Sequence, residues 1–186
     1  MKRALAFCVT TTVVSWLGVS EARIPGPAIV ADKGGYELVL PDTMATAIQR
    51  AVPGFTVETL AAYDSDIQKY YECTSRQAPW AVVGDFDGDG IQDVIVDGHV
   101  GVQRFRLCVW GATARVDTIL GQTWGQHGGE IYSSVLLYAQ PGVQSSNFNE
   151  STVFIFADGY VDYFFERAGS TWYWKDGKWH EFGSYD

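Results

Sequence analysis

Between residues 42 and 54 the apolar positions fall at helical spacing. Met44, Ala47, Ile48, Ala51 and Val52 recur every three or four places, with Asp42 or Thr43 available as a cap and Pro53 with Gly54 as a stop. This pattern predicts a short amphipathic helix. A second helix is expected over 59–72, where Leu60, Tyr63, Ile67, Tyr70 and Tyr71 approximate one face. After Arg76 the texture becomes that of strands: 80–83, 94–96, 105–110 and 134–138 are β-branched or aromatic runs bounded by Gly, Asp or Pro. Four further runs, 152–157, 160–167, 171–175 and 178–182, are separated by Asp158 with Gly159, Gly169 with Ser170, and Asp176 with Gly177. Asp followed by Gly supplies the positive φ angles of a tight hairpin, so these runs predict an antiparallel meander. The expected fold class is α+β: two short N-terminal helices, a predominantly antiparallel β-sheet and a C-terminal β-meander, in a single domain over 41–186.

The first residues change that picture only at the edge. Met1, Lys2 and Arg3 precede sixteen uncharged residues, 4–19, and small Ser20 and Ala22 flank Glu21. This reads as a signal peptide over 1–22, too short and too diluted by threonine for a bilayer span of about 20 residues. The expected localisation is secreted or periplasmic, with no stable membrane insertion after cleavage. Residues 23–40 begin with Pro25, Gly26 and Pro27 and include Gly34 and Gly35, which predicts a leader segment without regular structure through residue 36. Beyond Cys8, the chain holds Cys73 and Cys108. In an oxidising compartment a disulfide between them is the economical reading, against two unpaired buried thiols.

The chain of 186 residues carries 22 acidic and 13 basic side chains, a formal net charge of -9, with no run of Lys and Arg. No nucleic-acid partner is therefore expected, because phosphate contacts need clustered positive charge. Four of the acidic residues instead fall within one short segment. Residues 84–96 read GDFDGDGIQDVIV, which puts carboxylates at Asp85, Asp87, Asp89 and Asp93, positions 1, 3, 5 and 9 of a loop. Alternate side chains at this spacing can converge on one hard cation. Gly90 at position 6 permits the backbone reversal, and the carbonyl of Ile91 at position 7 turns inward as another ligand. Calcium is the expected ion, since magnesium takes fewer protein oxygens in a stricter octahedron. The competing reading is a turn whose aspartates only cap amides, but a turn needs one or two carboxylates and not four within nine residues.

Position 12 of the loop is Val96 where an EF-hand has Glu. From Asp85 to Val94 the loop resembles the FG-GAP family, the calcium loops of integrin α-subunits and the related VCBS repeats, whose pattern is DxDGDGhxDh. The resemblance implies a loop joining two antiparallel strands, in the hairpin 80–100. It also implies Asp85, Asp87, Asp89 and Asp93 as side-chain ligands and Ile91 as a backbone ligand. Such repeats usually come several to a chain and close into a seven-bladed propeller, which this chain is too short to hold, so a propeller is not expected. Asp158 to Asp162 echo only the tail of the motif, with Phe154 and Phe156 in place of its first aspartates, and one metal site is predicted.

Other candidates are weaker. A two-residue turn at Asp176 and Gly177 would set Trp174 against Trp179 with Trp172 on the same side, either as core cover or as a stacking platform for a ligand. Trp124, Gln126, His127 and Glu130 share a glycine-rich stretch whose spacing matches no metalloprotease helix. His99 and His180 stand alone. No nucleophile elbow, phosphate loop or dinucleotide fingerprint occurs. The sequence thus points to an exported calcium-binding protein, more non-enzymatic than enzymatic, in which the ion stabilises a small binding or interaction module for a protein or glycan ligand. The alternative is a small secreted hydrolase with structural calcium and a His127, Glu130 or aspartate site.

Overall fold

The computed structural model describes residues 26–32, 35–123, 134–146, 151–164 and 168–185. Residues 1–25, where a signal peptide is expected over 1–22, and the stretch with Trp124, His127 and Glu130 lie outside them. The architecture is mostly β, which corrects the α+β expectation: strands take 53% against 14% helix, and the sheets are antiparallel and none is closed. Two departures account for the difference. The segment expected to be irregular forms a hairpin of β1 (Ala28–Asp32) and β2 (Gly35–Val39). The second predicted helix survives only in part, as a 3-10 turn at Leu60–Ala62 and a six-residue α2 (Ser65–Tyr70). Asp64 stops the continuous helix, because its carboxylate accepts the amide of Asp66 and starts a new one. Tyr63, fully buried at that break, donates its hydroxyl to the carbonyl of Pro79 at 3.0 Å. The first helix, α1 (Asp42–Ala51), forms as its spacing predicts and buries Met44 and Ile48.

The larger sheet has the path β4 (Gln77–Ala78), β5 (Ala81–Gly84), β6 (Asp93–Val100), β7 (Gln103–Val109) and β8 (Val116–Thr123), with β3 (Thr56–Val57) on the far half of β6. Its central strands are buried on both faces, which is why they read as continuous apolar runs without alternation. Val83, Val94, Val96, Leu107 and Val109 join α1, Tyr63 and Ile67 in one cluster. Val82, Ile95, Cys108 and Trp110 enter a second cluster with Leu136 and Tyr160.

Those last two residues belong to the other principal sheet, ordered β14 (Lys178–Tyr185), β13 (Ala168–Lys175), β12 (Gly159–Phe164) and β9 (Ser134–Ala139). It is a four-stranded antiparallel sheet, but its fourth strand is β9 and not the run at 152–157. Residues Thr152–Ile155 form β11, which pairs with β10 (Gly142–Ser145) as a separate hairpin inserted between β9 and β12. The last turn follows its sequence: Asp176 and Gly177 both take positive φ, and Trp174 pairs with Trp179 and Lys175 with Lys178. Among the described residues no helix is long and apolar enough to cross a membrane.

The expected disulfide is absent. Cys73 and Cys108 are free thiols. Cys108, on β7, is fully buried in the cluster between the sheets, whereas Cys73 packs against the cluster on the opposite face of the larger sheet, so the two thiols lie on opposite faces of that sheet. Alkylation of the denatured, unreduced protein should therefore label both cysteines by peptide mass spectrometry. A recovered Cys73-to-Cys108 cross-linked peptide would contradict this arrangement.

Candidate metal centre

The aspartate loop joins β5 to β6, with Gly84 paired to Asp93 at its base. Residues 85–92 cannot pair with one another as strands because Gly88 and Gly90 sit at φ +79° and +85°, a region that side-chain-bearing residues rarely enter. These reversals aim alternate aspartates inward. One side-chain oxygen from each of Asp85, Asp87 and Asp89 lies within 4.8 Å of the other two.

Each of these carboxylates is also held by the loop's own amides. Asp85 accepts the Gly88 amide at 2.8 Å through one oxygen and the Gly90 amide at 2.9 Å through the other. Asp87 accepts from Asp89 at 3.3 Å, and Asp89 from Ile91 at 2.7 Å. An ionised carboxylate has about four lone-pair directions, so every one of them keeps acceptor capacity for a cation. Asp87 has its pKa raised, first by partial burial and also by repulsion from Asp89 and Asp85.

Asp93 is placed differently. It is 1% exposed, and its two oxygens accept the Phe86 amide at 2.9 Å and the Gly111 amide at 2.7 Å. Burial pushes its pKa up to about 7, against the pull of those two amides, with Asp87 and Asp89 adding to the rise. It forms the floor of the loop and is not one of the three converging groups. Ile91 leaves its side chain 47% exposed beside Gly111, where a Cβ would fall 2.2 Å from the Gln92 carbonyl oxygen. Gly111 is thus the residue that lets the neighbouring turn approach the loop closely enough to bond Asp93.

Set against known protein families, curated proteins and solved structures, the chain matches none of them.

Two anchors hold the loop in place. Phe86, second in the loop, is fully buried between the sheets with its ring 5.9 Å from that of Trp179. Asp158 clamps the first loop residue at both ends: its carboxylate accepts the Asp85 amide at 2.9 Å, and its own amide donates to the Asp85 carbonyl at 3.0 Å. The Tyr138 hydroxyl donates to the other Asp158 oxygen at 2.6 Å, and Arg76 stands 3.6 Å from the carboxylate. Sequence reasoning treats Asp158 as a turn residue. Its place in the echo of the loop motif is the one signal that sets it apart.

The remaining candidates resolve as packing. Trp172, Trp174 and Trp179 are half-buried against the second cluster, with Trp174 4.6 Å from Trp110 and Trp179 5.6 Å from Tyr160, ring to ring. They cover the core and do not form an open platform. His99 lies 2.7 Å from Glu58, and His180 stacks on Tyr173 at 5.4 Å. Sequence reasoning also misses a buried ionic group. Asp97 and Arg106 face each other across β6 and β7 and bond at 2.8 and 3.0 Å, Arg104 reaches Asp97 at 3.2 Å, and Asp162 of β12 meets Arg106 at 2.8 Å. The signal was available: alternation along the apolar strand β6 turns Asp97 to the same side as Ile95.

Proposed function

We propose that the loop 85–93 binds one calcium ion and that the ion stabilises a small, exported, non-enzymatic module for a protein or glycan partner. The observation that carries this reading is the convergence of Asp85, Asp87 and Asp89 within 4.8 Å on a loop whose base is fixed by buried Phe86 and by the Asp158 clamp. Three ionised carboxylates at that separation repel, and a divalent cation turns the repulsion into attraction. Calcium takes six to eight oxygens at about 2.3 to 2.6 Å, and a loop of carboxylates and carbonyls completed by water meets that requirement. Isothermal titration of the purified protein with calcium should give one saturable site. Asp85→Asn and Asp89→Asn should each remove it. Absence of heat in the wild-type titration, or a site that survives both substitutions, would refute the reading.

A further inference from the structure

The end of α2 crosses the outer face of the four-stranded sheet, the side of β9 and β12 opposite to Leu136 and Tyr160. There Tyr70, Tyr71 and Glu72 stand over Val135, Leu137 and Tyr163, and a cavity of about 230 Å³ opens between them. Three of its lining residues are tyrosines, Tyr70, Tyr71 and Tyr163. Glu72 is the one charged residue in the lining, and it forms no salt bridge among the described residues.

The hydrogen-bonding groups around the cavity are largely committed. The Tyr71 hydroxyl donates to the Leu136 carbonyl at 2.5 Å, which fixes that ring, and burial raises its pKa so that it stays neutral. Gln77 at the rim accepts the Tyr138 amide at 2.8 Å and points its own amide at the Glu72 carbonyl. A sugar, which needs several directed hydrogen bonds, finds few here. An anion meets Glu72 and the negative faces of the rings, and a purely apolar guest leaves the carboxylate without a role. What remains is a bulky cation with a methylated surface: its charge is spread over polarised methyl groups that pack on aromatic faces, and it gives up its hydration more readily than a bare ammonium. The Tyr70 ring already engages a cation of the chain itself, the Lys69 ammonium 4.7 Å from its centre, which a guest would share or displace. The chain's net charge of -9 favours arrival of a cation.

We propose that this cavity binds a quaternary ammonium group, held by the faces of Tyr70, Tyr71 and Tyr163 and neutralised by Glu72. The site stands apart from the calcium loop and does not depend on it.

The test is calorimetric titration of the whole protein with choline and with its uncharged carbon isostere, 3,3-dimethylbutan-1-ol. Choline should bind at least about tenfold more tightly than the isostere. Tyr70→Ala and Glu72→Gln should each weaken choline by about five- to tenfold with an unchanged melting temperature, as both residues are exposed. Tyr70→Phe, which keeps the ring face, should retain binding. A parallel arm measures sedimentation with phosphatidylcholine vesicles. Vesicle binding together with choline binding assigns a lipid headgroup as the source, choline binding alone a free cation, and either supports the site. No choline binding, equal affinity for the isostere, or full affinity in both Tyr70→Ala and Glu72→Gln overturns it.

Discussion

Replacing Arg106 by methionine is expected to cost about 3 to 5 kcal/mol of folding stability, because it leaves Asp97, 1% exposed, short of its principal partner between the two sheets. Burial by itself disfavours a charged guanidinium, yet the Asp97 and Asp162 carboxylates hold the Arg106 pKa above the ordinary arginine value. The group is therefore charged on both sides and depends on complete pairing. Methionine fills much the same volume, so the loss would come from the orphaned carboxylate and not from a void. Lysine at the same place should recover only part, since a single ammonium cannot reproduce the two parallel bonds to Asp97. For a chain of this length the methionine variant should melt roughly 6 to 20 °C lower. A loss below about 1 kcal/mol in denaturant titration would mean that the ionic group is solvated and adds little.

The second large effect concerns the loop. If the loop binds calcium as proposed, a concentration about 100 times the dissociation constant should add ~2.7 kcal/mol and raise the melting temperature by roughly 5 to 11 °C over its value in excess chelator. Asp87→Asn separates this gain from the loop's intrinsic stability. Asp87 has its pKa raised, so removing its charge should leave the melting temperature in chelator unchanged or slightly higher while abolishing the rise with calcium. Scanning calorimetry of both proteins with calcium and with chelator reads all four values. Equal melting of the wild type in the two conditions would remove the stabilising role given to the ion.

The local parts of this structure were legible in the sequence, and the non-local parts were not. The stop after α1, the strands around Val82, Ile95 and Leu107, and the Asp176 turn each follow from residues within a few places of one another. Partner choice for β12 does not. The turn at Asp158 and Gly159 suggests pairing with the run just before it, yet Tyr160 pairs with Tyr138, because the run at 152–155 folds back on β10 instead. The β1–β2 hairpin was hidden by flanking Pro and Gly, whose turn-forming chemistry looks the same whether or not strands lie alongside. Compartment and cysteine count point to a disulfide, but neither reports that Cys73 and Cys108 lie on opposite faces of a sheet. In the aspartate loop the spacing indicated which carboxylates could converge, but the distinct position of Asp93 depends on Gly111, eighteen residues later.

The Asp158 clamp sets the order in which the molecule can assemble. Asp85 is 73 residues from the carboxylate that fixes its amide, and a contact of that separation requires closure of a long chain segment before it gives anything back. A fragment ending before Asp158 can form the β5–β6 hairpin but lacks the support that shapes its tip. During synthesis the acidic loop therefore emerges well ahead of its brace, and on the proposed calcium reading tight ion capture would belong to the final stage of folding, when the second sheet docks.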